Sequence, residues 1–114
     1  MKYKNIDNGD LEFLKKIVSP DFVYTDEQKL FEYSHDETED LSFLPEVVIK
    51  PKNTREVAEI IRYCNHKKII ITPCGARTGL SGGSLPIFGG IVISLERLNK
   101  IIEIDKQNLQ ATVQ

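Results

Sequence analysis

Tryptophan is absent from this chain of 114 residues; methionine occurs once, and histidine and cysteine twice each. The shortage of soft ligands is informative first. Cys64 and Cys74 form no Cys-x-x-Cys pair and no His/Cys cluster, so neither a zinc module nor a disulfide scaffold is expected. A reducing compartment is the default for such a chain. Excess positive charge is also missing: 15 basic residues face 17 acidic ones, for a net charge of -2. Nucleic-acid binding would need a basic face. No apolar run approaches membrane-spanning length, and Met1 to Asn5 leads into no signal-peptide core. The chain reads as cytoplasmic, with no transmembrane segment. The acidic cluster Asp36, Glu37, Glu39 and Asp40 lacks the offsets and the glycine of a calcium loop, and reads as a solvated loop. No metal site is expected. With 40% hydrophobic and 28% charged residues, the chain should fold and stay soluble.

What is present is patterned. Leu11, Leu14, Ile17 and Val18 recur at helical spacing, with Asn8 or Asp10 as cap and Ser19-Pro20 as the stop. From Asp21 to Leu44 periodicity is poor, which predicts loop with a short helix around Glu27 to Tyr33. Val47, Val48 and Ile49 form a β-branched apolar run, the mark of a buried strand, and Pro51 ends it. Asn53 and Glu56 stand at capping-box spacing before Val57, Ile60, Ile61 and Cys64, an apolar stripe on one helix face. Ile69 to Ile71 predict a second buried strand, giving a βαβ unit. Ile91 to Leu95 predict a third. Ile102 and Ile104, then Leu109, Ala111 and Val113, alternate around the turn Lys106-Gln107-Asn108, as in an antiparallel hairpin. The expected fold is α+β: a small three-stranded parallel sheet with helices, leading into the start of an antiparallel part. Residues 1–44 read as a helical and loop lead-in, and 45–114 as the main unit.

Between the second and third parallel strands lies a loop from Pro73 to Gly90. Gly75, Gly79, Gly82 and Gly83 place four glycines within nine residues. Glycine admits positive φ and lets a ligand approach the main chain, so successive N–H groups can form an anion nest. Thr78, Ser81 and Ser84 add hydroxyls, and Arg77 adds a fork-shaped cation. A diphosphate suits such a surface. The Walker pattern fails, because no Lys-Ser or Lys-Thr follows the glycines. The Rossmann pattern fails too, because Gly75, Gly79 and Gly82 are spaced by four and three. Composition alone leaves two readings open: an anion nest, and a long turn between strands.

The segments Pro45-Glu46-Val47-Val48, Pro51 to Val57, Thr78 to Gly83 with Pro86, Gly90 to Leu95 and Asn99 to Asp105 occur in an order that resembles the FAD-linked oxidase family. Tyr33 to Thr38 resembles that family's lead-in. The family shares its flavin domain with vanillyl-alcohol oxidase and para-cresol methylhydroxylase, and the nearest likeness is to the glycolate oxidase flavin subunit and the D-lactate dehydrogenases. The resemblance implies an FAD pyrophosphate against Gly75, Ala76, Arg77, Thr78, Gly79, Ser81, Gly82 and Gly83, with Ser94 toward the flavin side. Cys74 and Arg77 stand where the family often has Arg and Gly. No histidine occurs between Pro73 and Pro86, which implies non-covalent FAD. The family's chains are much longer, which implies a fragment. The whole protein would oxidise a 2-hydroxy acid and pass electrons to an acceptor, with its catalytic residues beyond Gln114.

Other residues read plainly. His35 is a loop histidine, His66 an exposed helix end, and Cys64 and Cys74 small buried hydrophobes. Tyr24 and Tyr33 serve packing or the surface. The alternative function is a non-catalytic nucleotide-binding or interaction module.

Overall fold

A computed structural model describes residues 4–34, 43–75 and 89–114. Helix α1 spans Asn8–Ile17, followed by a 3-10 turn at Pro20–Phe22 and the short strand β1, Val23–Tyr24. Helix α2 (Glu27–Glu32), strand β2 (Val47–Ile49), helix α3 (Thr54–Lys67) and strand β3 (Ile71–Cys74) follow. Strands β4 (Ile91–Ser94), β5 (Ile101–Asp105) and β6 (Gln110–Val113) complete the described elements. The α+β class stands. Three parallel strands are present as expected, and β1 joins them antiparallel, in the order β1-β2-β4-β3. β4 therefore sits between the two strands that α3 connects.

The cap of α1 is Asp7, not Asn8 or Asp10. Asp7 Oδ1 accepts from the Asp10 N–H at 2.9 Å, and Asp10 Oδ2 accepts from the Asp7 N–H at 3.0 Å. Two aspartates thus form a reciprocal capping box. The Asp10 carboxylate is buried and also accepts from Tyr63 Oη at 2.5 Å and from Lys4 Nζ. It ties α1 to α3, and the Phe13 and Tyr63 rings stack beside it at 4.3 Å. Burial opposes its ionisation, but the hydrogen bonds from Lys4, Tyr63 and Asp7 win and bring its pKa down to about 2. A folded-state pKa below the unfolded value of about 3.9 makes the native state more stable above pH 4, and that advantage is lost as pH falls toward 2. The expected contribution is about 2 kcal/mol. Urea unfolding of wild type and Asp10→Asn at pH 6 and pH 2.5 checks it. The two proteins should differ at pH 6 and converge at pH 2.5; an equal gap at both pH values would contradict this account.

Helix α3 forms as its sequence predicts. Asn53 Oδ1 accepts from the Glu56 N–H at 2.9 Å, and the buried Glu56 carboxylate reaches back to the Lys52 N–H at 2.9 Å. Ile60 and Cys64 are fully buried. Ile61, placed on the same stripe by spacing, is 48% exposed. The helix ends at Lys68, whose φ of 62° turns the chain, and the Ile69 N–H bonds the Cys64 carbonyl at 2.9 Å. That bond ties Ile69 to the helix exit, and β3 spans Ile71–Cys74 rather than beginning at Ile69. Pro73 is tolerated in β3 because this strand lies at the sheet edge.

Helices α1 and α3 cover one sheet face, packing Leu14, Ile60 and Cys64 on Val47, Ile49, Ile91 and Ile93. Helix α2 covers the other, packing Leu30 and Tyr33 on Val48, Cys74 and Val92. Each fully buried aliphatic side chain contributes about 1.5–3 kcal/mol. Residues on both sides of Pro45 share these clusters.

The β5–β6 hairpin forms in the expected place. Asp105 accepts from the N–H groups of Gln107 and Asn108, which fixes the turn. Ile101, Ile102, Ile104, Leu109 and Val113 on it are all exposed. No helix among the described residues is long and apolar enough to cross a membrane.

Candidate functional site

The three parallel strands direct their carboxyl ends to one edge of the sheet, the edge where ligands bind in open α/β sheets. There β2 runs into Lys50, β3 into Gly75, and β4 into Leu95 and Glu96. Cys74 and Ser94 face each other in register, and the Leu95 N–H extends the ladder to the Cys74 carbonyl at 2.9 Å. Gly75 is thus held at the lip of the sheet. It is exposed, and among the described residues no heavy atom beyond its chain neighbours lies within 4 Å of where a Cβ would stand. That space is open to a ligand approaching the main chain.

Of the residues the sequence singled out, Gly75 and Ser94 lie at this edge. Ala76, Arg77, Thr78, Gly79, Ser81, Gly82 and Gly83 lie outside the described residues, as does His35. The chain is described again at Gly89 and Gly90, at the amino end of β4.

Ser94 is fully buried. Its hydroxyl lies 3.3 Å from Tyr33 Oη and donates to Glu96 Oε1 at 2.9 Å. The same Glu96 oxygen accepts from Tyr33 Oη and pairs with Lys50 Nζ at 3.0 Å. Lys50 also lies over the rings of Tyr24 and Tyr33, at 5.3 and 5.6 Å from their centroids. The hydrogen bond from Tyr33 is the largest influence on Glu96; with those from Lys50 and Ser94 it overcomes desolvation and lowers the pKa to about 2. Burial, then the bond to Glu96, raises the Tyr33 phenol. Burial works against the Lys50 ammonium, but Glu96 and Tyr33 outweigh it and raise its pKa. At neutral pH the cluster is a carboxylate, an ammonium and two neutral hydroxyls.

Spacing alone did not identify Lys50, Tyr33 and Glu96. The available signal was position: charged residues directly after two buried parallel strands fall at the ligand edge.

The rest of the molecule offers less. A groove of about 590 Å³ between α3 and the start of β3 is lined by Ala58, Ile61, Ile69 and Ile71. It lies at the amino end of β3, away from Gly75. Both cysteines are buried and neither forms a disulfide. Burial first, with the Asp10 charge second, pushes the Cys64 thiol up to about 12, so it is no nucleophile at neutral pH. Among the described residues, no group of three or more His, Cys, Asp or Glu could hold a metal ion.

Comparison with known proteins identifies the architecture. The family model described as FAD binding domain matches residues 45–114. The chain is 38% identical over 114 residues to a D-lactate dehydrogenase of Anaerostipes hadrus, covering 99% of this chain and 24% of the relative. It is 43% identical over 82 residues to glycolate oxidase subunit GlcD of Bacillus subtilis, covering 72% of this chain and 17% of that one. Among solved structures, an alkyldihydroxyacetonephosphate synthase superposes with a TM-score of 0.84 at 17% identity, over 99% of this chain and 25% of the other. The chain thus spans about a quarter or less of the length of the proteins it matches. On the match to residues 45–114, the chain belongs to the FAD binding domain family.

Proposed function

We propose that this chain is the cofactor-holding front of an FAD-dependent dehydrogenase or oxidase acting on a 2-hydroxy acid of the glycolate or D-lactate type. The observation that carries the reading is the 38% identity to a D-lactate dehydrogenase across nearly the whole chain. The edge geometry agrees with it, because Gly75 leaves the sheet with open space where a side chain would stand. In this reading residues 1–44 are the lead-in and 45–114 the front of the flavin domain. The pyrophosphate lies against the main chain of Gly75, Ala76, Arg77, Thr78, Gly79, Ser81, Gly82 and Gly83. Amides and hydroxyls there hold the diphosphate, and Arg77 adds a charge. Ser94 shapes the flavin side of the edge, its hydroxyl being engaged by Glu96 and Tyr33. The FAD is non-covalent, since the loop has no histidine to carry a bond.

When bound, FAD would supply the acceptor for the hydride, with its two electrons, that leaves the substrate. The chain's own part is to orient that cofactor and anchor it. The groups that bind the hydroxy acid and move its proton lie beyond Gln114, and a second partner reoxidises the flavin. The protein works in the cytoplasm, a placement in keeping with two cysteines that form no disulfide.

Anaerobic addition of glycolate or D-lactate to the full-length holoprotein should bleach the flavin absorbance within seconds. A flavin that stays oxidised with every 2-hydroxy acid offered would remove the substrate class.

A further inference from the structure

We infer that the cluster centred on Glu96 is a positioning device for the flavin loop: it fixes the point where that loop leaves the sheet, and so sets FAD affinity. The inference rests on the reading of the Gly75 to Gly83 loop as the pyrophosphate holder.

Three donors from three separate elements converge on one oxygen, Glu96 Oε1. Tyr33 comes from the end of α2, Lys50 from the end of β2 and Ser94 from the end of β4. An exposed surface ion pair does not need this arrangement and contributes little. Here the Lys50 side chain is only 13% exposed, and Tyr33 and Ser94 are buried. The Glu96 side chain is itself 49% exposed, but the buried Tyr33 and Ser94 hydroxyls and the Lys50 ammonium it gathers are costly to leave unpaired, so it specifies one geometry for them.

That geometry passes directly to the loop. Ser94 is the register partner of Cys74, and Leu95 holds the Cys74 carbonyl. Gly75 is the next residue. Tyr33, Lys50 and Glu96 therefore control where the loop begins through Ser94 and Leu95. The charges also suit a diphosphate neighbour, because Lys50 and Glu96 cancel. A bare carboxylate at this edge would repel the ligand, whereas a bare ammonium would attract it.

This difference in sign makes positioning separable from a plain charge effect. The test is FAD titration of full-length apoprotein carrying Tyr33→Phe, Glu96→Gln or Lys50→Met, followed by flavin fluorescence well below each variant's unfolding temperature. All three should weaken FAD binding, Tyr33→Phe by about tenfold, the equivalent of one hydrogen bond to a charged acceptor. Tighter binding by Glu96→Gln with weaker binding by Lys50→Met would overturn the inference in favour of charge alone. Lowered unfolding midpoints with every Kd within about twofold of wild type would overturn it in favour of a structural tie. If wild type binds FAD and the variants match it, this inference falls alone. If wild type takes up no FAD, the proposed function falls and takes the inference with it.

Discussion

Gly82→Asp should abolish FAD uptake by the full-length protein. Gly82 belongs to the glycine run of the loop, and in the proposed reading the backbone of that run comes close to the diphosphate. Aspartate adds bulk and a negative charge at once. At an effective dielectric near 20, a unit charge about 5 Å from another meets about 3 kcal/mol of repulsion, and a diphosphate carries more than one. Affinity should therefore fall by at least about a hundredfold. The unfolding midpoint of the variant, measured beside its flavin content, separates loss of the cofactor from loss of the fold. Gly82→Ala, which adds bulk without charge, should fall between. Purification of Gly82→Asp with wild-type flavin content would show that this stretch does not face the cofactor. Retention of a stable protein partner by the flavin-free variant would instead favour an interaction module.

The second large effect is on stability. Gly90 has φ +71°, and a Cβ there would stand 2.4 Å from the Ile70 carbonyl oxygen. The backbone has no room to yield. The Gly90 carbonyl accepts from the Glu46 N–H, its own N–H donates to the Glu46 carboxylate, and the Ile91 N–H bonds the same Ile70 oxygen. Gly90→Ala combines a left-handed conformation with a main-chain clash, and should cost about 3 kcal/mol or more. Gly89 is the control. Its φ is +77°, but the nearest atom to a Cβ is the Glu46 carboxylate at 3.7 Å, an ordinary contact. Gly89→Ala should cost about 1 kcal/mol, the conformational part alone. Denaturant unfolding of both variants reads the difference. Equal costs would mean that the contact with Ile70 is not a constraint.

These effects depend on features of unequal visibility in the sequence. Strand β2, helix α3, strand β4 and the hairpin were legible because each carries a pattern strong enough to hold without tertiary help. Val47 to Ile49 is continuously β-branched, α3 has a cap and a stripe, and Asp105 to Asn108 makes its own turn. Strand β1 was not legible, since two residues cannot alternate; Val23 and Tyr24 become a strand only by pairing with Ile49 and Val48. The cap of α1 was ambiguous because Asp7, Asn8 and Asp10 are all competent, and the winner depends on Asp10 reaching Tyr63 across the core. The start of β3 was misplaced by the same kind of competition. Ile69 has the propensity for a strand, but the turn at Lys68 claims it for the helix exit.

The site divides similarly. A glycine loop after a buried strand is a local signal, and it led to Gly75. The cluster at Glu96 joins positions 33, 50, 94 and 96, which only the folded sheet brings together. Ser94 was singled out for the flavin side, but nothing in its neighbours announced that its hydroxyl would be spent on Glu96 and Tyr33.

The most direct test is the absorbance spectrum of the full-length protein purified in its native form, followed by acid precipitation and mass analysis of what is released. The account predicts the absorbance spectrum of an oxidised flavin, and intact FAD in the supernatant, released without cleavage. A colourless protein that takes up no added FAD would contradict it.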